Sequence, residues 1–458
     1  MTISKSIVCN TDLYKYSQPY QYPKNTQAIF SYIASRGGDW DQSVFFGLQM
    51  FLKEYLEPRV TTEDIDYAQE LIPAHGLPFY RDLWDYIVDA HDGKLPLKIR
   101  AVPEGTVVPT KNVLVTIEPT DQNCWWLVDH VESPLLRGVW YPTTVCTNSY
   151  LSKAIIKEYL EETGSPELLS TRLSDFGLRG VSSFESSGIG GVAHLVHFDG
   201  TDNVNGSQYA RHFYNRKLTG LESIPAMQHS TVTSWGREAE VDSYRNMLSL
   251  FGFPKAVIAC VSDSYNIYEA CENLWGDQLR EEVINSGAIV VVRSDSGDPT
   301  VVLLKCLEIL DKKFGHTVNS KGYKVLNNVR LFQSDGIKHD LISRILYLFK
   351  AAGFSTDNIA FGQGGALLQQ LDRDTQKEAM KGSAIMINGI WYEMYKDPIT
   401  DPGKSSFRGR LDLFQTDDGV FTAKEGSFNY PSALRNVFEN GDLYHVEDMD
   451  TIKARVTF

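Results

Sequence analysis

The sequence predicts an α/β protein built around a parallel barrel, and three observations carry that expectation. Short apolar runs recur through the second half of the chain, continuous as buried parallel strands are and not alternating as half-exposed ones do. Each run stops abruptly in small polar and acidic residues. Helix-like stretches lie between them, and the steps from Asp263 to Asp295, Asp335 and Gly364 are 32, 40 and 29 residues, each about one βα unit. A doubly wound open sheet also binds ligands beyond its strand ends. Acidic residues repeated at the strand ends, pointing into one mouth, favour the barrel, whose chemistry sits at its C-terminal face.

In chain order, Ala28 to Ile33, Leu97 to Ala101 and Val113 to Ile117 read as strands. Phe45 to Leu56 and Thr62 to Leu71 read as helices. Thr61 or Thr62 caps the second, with acidic residues in its first turn, where the helix dipole favours them. Asn148 to Glu162 has helical spacing and Gly164-Ser165-Pro166 punctuates it, so a domain boundary is placed near there. The runs of the barrel follow. His194 to Phe198 precedes Asp199-Gly200-Thr201-Asp202, and Ala256 to Val261 precedes Ser262-Asp263-Ser264. Ala288 to Val292 precedes Arg293-Ser294-Asp295, Val329 to Phe332 precedes Gln333-Ser334-Asp335-Gly336, and Ile359 to Phe361 precedes Gly362-Gln363-Gly364-Gly365. Tyr265 to Trp275, Val301 to Phe314 and Lys338 to Ala352 are the intervening helices.

Composition narrows the function. Of 458 residues, 42% are hydrophobic and 22% charged, ordinary globular usage that excludes a disordered chain. A formal charge of -14 argues against a general binder of nucleic acid or anionic membrane. The six cysteines contain no Cys-x-x-Cys pair and read as reduced thiols. The opening MTISKSIVCNTDLYKYSQPY has no apolar h-region, and no apolar run approaches the roughly 18 residues of a membrane span. A cytoplasmic enzyme is expected.

Asp263, Asp295 and Asp335 would converge at the barrel mouth with Arg293, a set suited to a hard cation or to sugar hydroxyls. Each Asp equally suits a helix N-cap. Gly362 to Gly365 precedes a helix start at Ala366 to Leu371, where bare amides hold phosphate, although a tight turn uses glycine too. Arg373, Lys381, Lys396 and Lys404 follow in an acidic chain and suit a polyanionic ligand, although any one of them equally suits the solvated surface, the usual place for such a cation. His229, in Gln228-His229-Ser230-Thr231, suits a general base, a nucleophile or a structural role. His194 and His197, read as strand residues, fall on opposite faces and are not expected to chelate. Phe176 is either core or a stacking platform.

Several ordered motifs are more specific: Asp175-Phe176-Gly177-Leu178-Arg179-Gly180, Gly200-Thr201-Asp202, His229-Ser230-Thr231, Val261-Ser262-Asp263-Ser264-Tyr265, Arg293-Ser294-Asp295-Ser296-Gly297 and Phe361-Gly362-Gln363-Gly364-Gly365. With Lys396-Asp397-Pro398, Thr11 to Lys15 and Ser31 to Arg36, they resemble the nicotinamide phosphoribosyltransferase family over most of the chain. The resemblance implies an incomplete α/β barrel of the type II phosphoribosyltransferase kind, over residues 161–389. Beside it would stand an α+β sheet domain, residues 1–160 completed by about 390–458. It also implies a homodimer with shared sites.

The implied reaction moves phosphoribosyl from 5-phosphoribosyl 1-diphosphate to nicotinamide in NAD salvage, with ATP hydrolysis coupled through phosphorylated His229. Phe176 would stack on the pyridine ring with Tyr14 of the partner subunit on its other face, a contact contributing about 0.5–1.5 kcal/mol beyond burial. Asp202 would accept from the carboxamide NH2, and a nicotinate carboxylate there would meet a like charge. By the same resemblance, Arg179 and Arg293 would contact base or ribose-phosphate, and Asp295 the ribose hydroxyls. Asp335 and Gly336, with Gly364 and Gly365, would hold the ribose and 5-phosphate region. Arg36, Arg373, Lys381 and Lys396 match phosphate-contacting positions. Asp263 would hydrogen-bond and orient His229. Magnesium, held mainly by substrate phosphates, would neutralise the departing diphosphate.

Three departures stand out. Gln228 occupies a place where the family commonly carries Glu, which would weaken phosphoryl transfer to His229. Ala259 replaces a Ser of the tunnel wall, and Ser334 a Gly beside Asp335. The rival readings are a nicotinate phosphoribosyltransferase, against which Asp202 speaks, and a catalytically silent binding protein on the same fold, which would not need His229 or the cations. A metal-dependent barrel hydrolase would need a histidine-rich ligand set that these strand ends lack.

Overall fold

Five parallel strands carry the recurring runs. In the computed structural model, which describes residues 3–217, 220–400 and 405–456, they are β1 (Leu173–Asp175), β2 (Val257–Val261), β3 (Ile289–Ser294), β4 (Val329–Gln333) and β5 (Ile359–Gln363), ordered β1-β5-β4-β3-β2. Residues facing out of this half-barrel, such as Ile258, Val290, Leu331 and Phe361, pack with Leu303 and Leu307 of the helix Pro299–Phe314 and Ile342 and Leu346 of the helix His339–Ala351. The inward residues are Val257, Ala259, Ile289, Val291, Phe332 and Ala360. Two of the six are alanines, too small to fill the centre, and a cavity of about 420 Å³ remains.

Between β1 and β2 the wall is made of isolated bridges. Asp175 pairs with Thr201, Gly200 with Glu222, and Ala226 with Ala259. The expected strand from His194 to Phe198 is absent: His194 ends the helix Phe184–His194, and a turn follows. That helix carries three glycines, which sequence propensity reads as non-helical. They are needed for close packing, since a Cβ on Gly191 would lie 2.7 Å from Gly206 Cα. His194 Nδ1 meets Ser149 Oγ at 2.9 Å and Nε2 meets the Leu173 carbonyl at 3.2 Å. Occupation of both nitrogens, not strand alternation, keeps His194 from ligating a metal.

The second unit comprises residues 1–147, 212–216 and 371–457, leaving 148–211 and 217–370 with the barrel. Its seven-stranded antiparallel sheet runs Ile390–Glu393, Glu378–Ile387, Thr26–Ser35, Val113–Pro119, Leu97–Ala101, Arg435–Glu439, Asp442–Leu443. A boundary at 389 would detach Glu378–Ile387 from Thr26–Ser35, with which it pairs from Thr26↔Ile387 to Ser35↔Glu378. A boundary at 160 would fall inside the continuous helix Glu132–Thr163. The helix Thr62–Leu71 starts as expected, with Thr61 and Asp64 forming a capping box. The stretch from Phe45 becomes helical only at Leu48, after Gly47 at φ 99°, and Leu52–Leu56 is π-helical. Lys404 lies outside the described residues. Among those described, no helix is long and apolar enough to cross a membrane.

Glu378 is fully buried, among the described residues neither of its carboxylate oxygens has a hydrogen-bond partner, and burial pushes its carboxyl up to about 8. A raised carboxyl favours the protonated folded state, so its support is complete below the ordinary glutamate range. It is lost as pH climbs towards 8, at up to about 1.4 kcal/mol per pH unit. Glu378→Met is therefore expected to raise the melting temperature more at pH 8 than at pH 5. Equal shifts in thermal melts at the two pH values would disprove this.

Candidate active site

Of the three carboxylates expected at the mouth, Asp263 and Asp295 are tied to one another through the strand ends, whereas no such contact joins Asp335 to them among the described residues. Asp263, just beyond β2, has a buried side chain whose Oδ2 accepts from the Asp295 amide at 2.8 Å and from Ser296 Oγ at 2.6 Å. Asp295, just beyond β3, accepts from Arg293 on Oδ2 at 2.9 Å and from Ser334 on Oδ1 at 2.8 Å. Arg293 also donates to the Met227 carbonyl at 3.2 Å. His229 begins the short helix His229–Thr233 and stands 3.7 Å from both Asp263 Oδ1 and Asp295 Oδ2 through Nε2. That is ion-pair range, too long for the hydrogen bond expected of Asp263. The hydrogen bond comes instead from Ser264, whose Oγ lies 3.0 Å from Nδ1. Among the described residues, the buried Asp263 Oδ1 has no hydrogen-bond partner.

Phe176, Asp202 and Arg293 line the cavity through the half-barrel, as does Ala259. The Phe176 ring lies 5.5 Å from that of Phe332, tilted by 32°. Asp202 accepts from Ser223 Oγ on Oδ1. A Cβ at Gly362 would come within 2.9 Å of the Phe176 ring and 3.0 Å of the Phe332 ring, so glycine is required there. Gly362→Ala is expected to displace Phe176 at a cost of about 1–3 kcal/mol. A variant with an unchanged melting temperature would contradict this. At Gly364 and Gly365 a Cβ would meet nothing nearer than 3.5 Å, so packing does not demand glycine and the backbone is open to approach. The helix they begin, Gly365–Leu368, has only four residues.

Asp335 and Gly336 are exposed on the loop after β4, Gly336 at φ 67°. Arg179 is exposed on the turn Leu178–Gly180 and does not line the cavity. In the sheet unit, Tyr14 is exposed and Arg36, Arg373, Lys381 and Lys396 gather. Burial, then the charges of Arg36, Lys396 and Arg373, push the Lys381 ammonium below its ordinary range against the pull of Glu132. Such mutual repulsion marks a site suited to polyanions. Among the described residues the one cluster of three candidate metal ligands is His91, Asp121 and Cys124, in the sheet unit. Asp121 there already accepts from Tyr86 and the Asn123 amide and pairs with His91. Asp263 Oδ2 and both oxygens of Asp295 are taken up by neighbours, and among the described residues neither carboxylate belongs to a cluster of three candidate metal ligands.

Ser264, Ser223 and Ser334 hold the key side chains, and sequence reading gave none of them a role. A hydroxyl has no diagnostic spacing: Ser334 reaches back across 39 residues to Asp295.

The chain can now be set beside known proteins. It overlays the crystal structure of nicotinate-nucleotide pyrophosphorylase from Pyrococcus furiosus with a TM-score of 0.63, at 14% identity and covering 100% of this chain and 96% of that one. For human nicotinic acid phosphoribosyltransferase the score is 0.54, at 15% identity over 98% and 92%. Half-barrel, separate antiparallel sheet and carboxylate-ringed mouth together define a type II phosphoribosyltransferase fold. Residues 171–442 match the model of the nicotinate phosphoribosyltransferase (NAPRTase) family, and residues 6–99 that of the nicotinamide phosphoribosyltransferase N-terminal domain. The chain is 51% identical to the nicotinamide phosphoribosyltransferase of Xanthomonas campestris pv. campestris, covering 98% of this chain and 97% of that one. Identity to the Acinetobacter baylyi nicotinamide phosphoribosyltransferase is 29%, over 97% and 96%. The chain belongs to the nicotinate phosphoribosyltransferase family, within its nicotinamide phosphoribosyltransferase branch, and is a pentosyltransferase.

Proposed function

We propose that this enzyme transfers phosphoribosyl from 5-phosphoribosyl 1-diphosphate to nicotinamide, giving nicotinamide mononucleotide and diphosphate in NAD salvage. One observation carries the choice of acceptor. Asp202 lines the cavity with Phe176, and among the described residues its Oδ2 accepts no hydrogen bond. A free carboxylate oxygen there suits a carboxamide NH2 and repels a carboxylate.

Phe176 and Tyr14 of the partner subunit sandwich the ring in this reading, in a homodimer. The ring nitrogen attacks the anomeric carbon as that carbon's bond to the diphosphate oxygen breaks, and diphosphate leaves with the electron pair. Asp295, Asp335 and Gly336 hold the ribose. Gly364, Gly365, Arg36, Arg373, Lys381 and Lys396 hold the phosphates, and Arg293 and Arg179 flank base and ribose-phosphate. Magnesium, when bound, would be held mainly by the donor phosphates and would supply charge neutralisation for the departing diphosphate.

ATP hydrolysis is coupled through His229. Two carboxylates near Nε2 favour the proton on that nitrogen, leaving the Nδ1 lone pair to accept from Ser264. Nδ1 is then the nucleophile: it attacks the γ-phosphorus, and the bond to the departing ADP oxygen breaks. Asp263 and Asp295 stabilise the imidazolium that results. The test is product formation from the donor and magnesium with nicotinamide or nicotinate, each with and without ATP. Amide-selective turnover stimulated by ATP is expected. Turnover of nicotinate alone would move the enzyme to the acid branch, and no turnover of either would favour a binding protein.

A further inference from the structure

Asp175 is fully buried at the end of β1, and burial pushes its carboxyl up to about 6 although both oxygens accept hydrogen bonds. A buried carboxylate kept at such a cost calls for a reason. Oδ1 accepts from the Gly177 amide at 2.7 Å, closing a turn around the intervening Phe176. Oδ2 accepts from Asn203 Nδ2 at 2.8 Å. The Asp175 carbonyl accepts from the Asp202 amide at 3.0 Å. Asn203 is equally buried and fully committed: Nδ2 also donates to the Ser187 carbonyl at 2.9 Å, and Oδ1 accepts from the Asn205 and Gly206 amides at 3.1 and 3.2 Å. Thus the residue before Phe176 grips the residue after Asp202.

We infer that Asp175 is a positioning residue for the acceptor pocket, fixing the aromatic wall of Phe176 and the selecting carboxylate of Asp202 at one separation through Gly177, Asn203 and its own carbonyl. The inference rests on the nicotinamide reading above. Ser174, Phe176 and Asp202 line the cavity, whereas Asp175 itself does not. It acts through other residues, and its loss should appear in acceptor binding.

Asp175→Asn keeps the shape but supplies one oxygen and one NH2. It can accept from Gly177 or from Asn203, not both, and its NH2 then faces a donor. In the full-length enzyme, KM for nicotinamide is expected to rise about tenfold, the effect of one buried donor left unpaired, with kcat and donor KM changed less than about threefold. Exchanging the pair, Asp175→Asn with Asn203→Asp, re-forms an N–H to carboxylate bond but gives up the bond to the Ser187 carbonyl, and should recover part of the nicotinamide KM lost in Asp175→Asn. Asn203→Ser removes the arm to Asp175 together with the bond to the Ser187 carbonyl, while serine still caps the following helix, and should raise nicotinamide KM more than donor KM.

A merely structural role predicts a different result: a smaller folded fraction lowers apparent kcat and leaves every KM in place. That pattern, an unmoved nicotinamide KM in folded Asp175→Asn, or failure of both single variants to fold, overturns the inference while leaving the substrate reading intact. Absence of nicotinamide turnover in the unmodified enzyme overturns both.

Discussion

An Asp202→Asn enzyme is expected to lose most of its discrimination between nicotinamide and nicotinate. Asparagine keeps an oxygen for the Ser223 hydroxyl, so the wall of the cavity retains its local bond. What disappears is the negative charge facing the acceptor. Opposed like charges cost several kcal/mol, and each 1.4 kcal/mol is tenfold, so the ratio of kcat/KM for amide over acid should fall by about ten to a hundredfold. Most of the change should appear as improved use of nicotinate. Competition between the two acceptors at fixed donor measures it directly, and an unchanged ratio removes the role assigned to Asp202.

His229→Ala should separate transfer from ATP use. The imidazole touches Ser264, Asp263 and Asp295 but lines no part of the cavity that would receive the ring. Its removal leaves phosphoribosyl transfer slow but present, with ATP giving no stimulation. ADP release should fall by about a hundredfold or more, the usual consequence of deleting a covalent nucleophile. Full ATP stimulation in this variant would end the phosphohistidine proposal. Gln228 caps the helix that His229 opens and brings no charge, so the unmodified enzyme's own coupling gives the reference for that comparison.

The barrel strands were legible because burial on both faces writes continuous apolar runs, as in Val257–Val261 and Ile289–Ser294. The helix Phe184–His194 was not, because its glycines answer to a neighbouring backbone and not to helix propensity. In the site, Asp263, Asp295 and His229 announce themselves as charged residues at strand ends or between them. Ser264, Ser334 and Asn203 do not: their value lies in partners fixed by the fold, 35, 39 and 28 residues away. Domain limits escaped for a related reason. A helix of 32 residues runs across one limit despite Pro142 inside it, and the strand Glu378–Ile387 finds its place only against Thr26–Ser35.

The bridged wall between β1 and β2 has a mechanical consequence. Asp263, Asp295 and Asp335 follow strands locked into continuous ladders, whereas Asp202 and Ser223 ride on segments held by single bridges. In the proposed reading, acceptor choice and phosphoribosyl chemistry thus sit on separately built stretches of the wall. Side chains of the bridged stretch other than Asp175, Asp202 and Asn203 can be exchanged without touching the ladders. A lineage of such enzymes can change the base it takes while conserving the sugar-phosphate machinery, and an engineer seeking new pyridine acceptors should work on the bridged wall first.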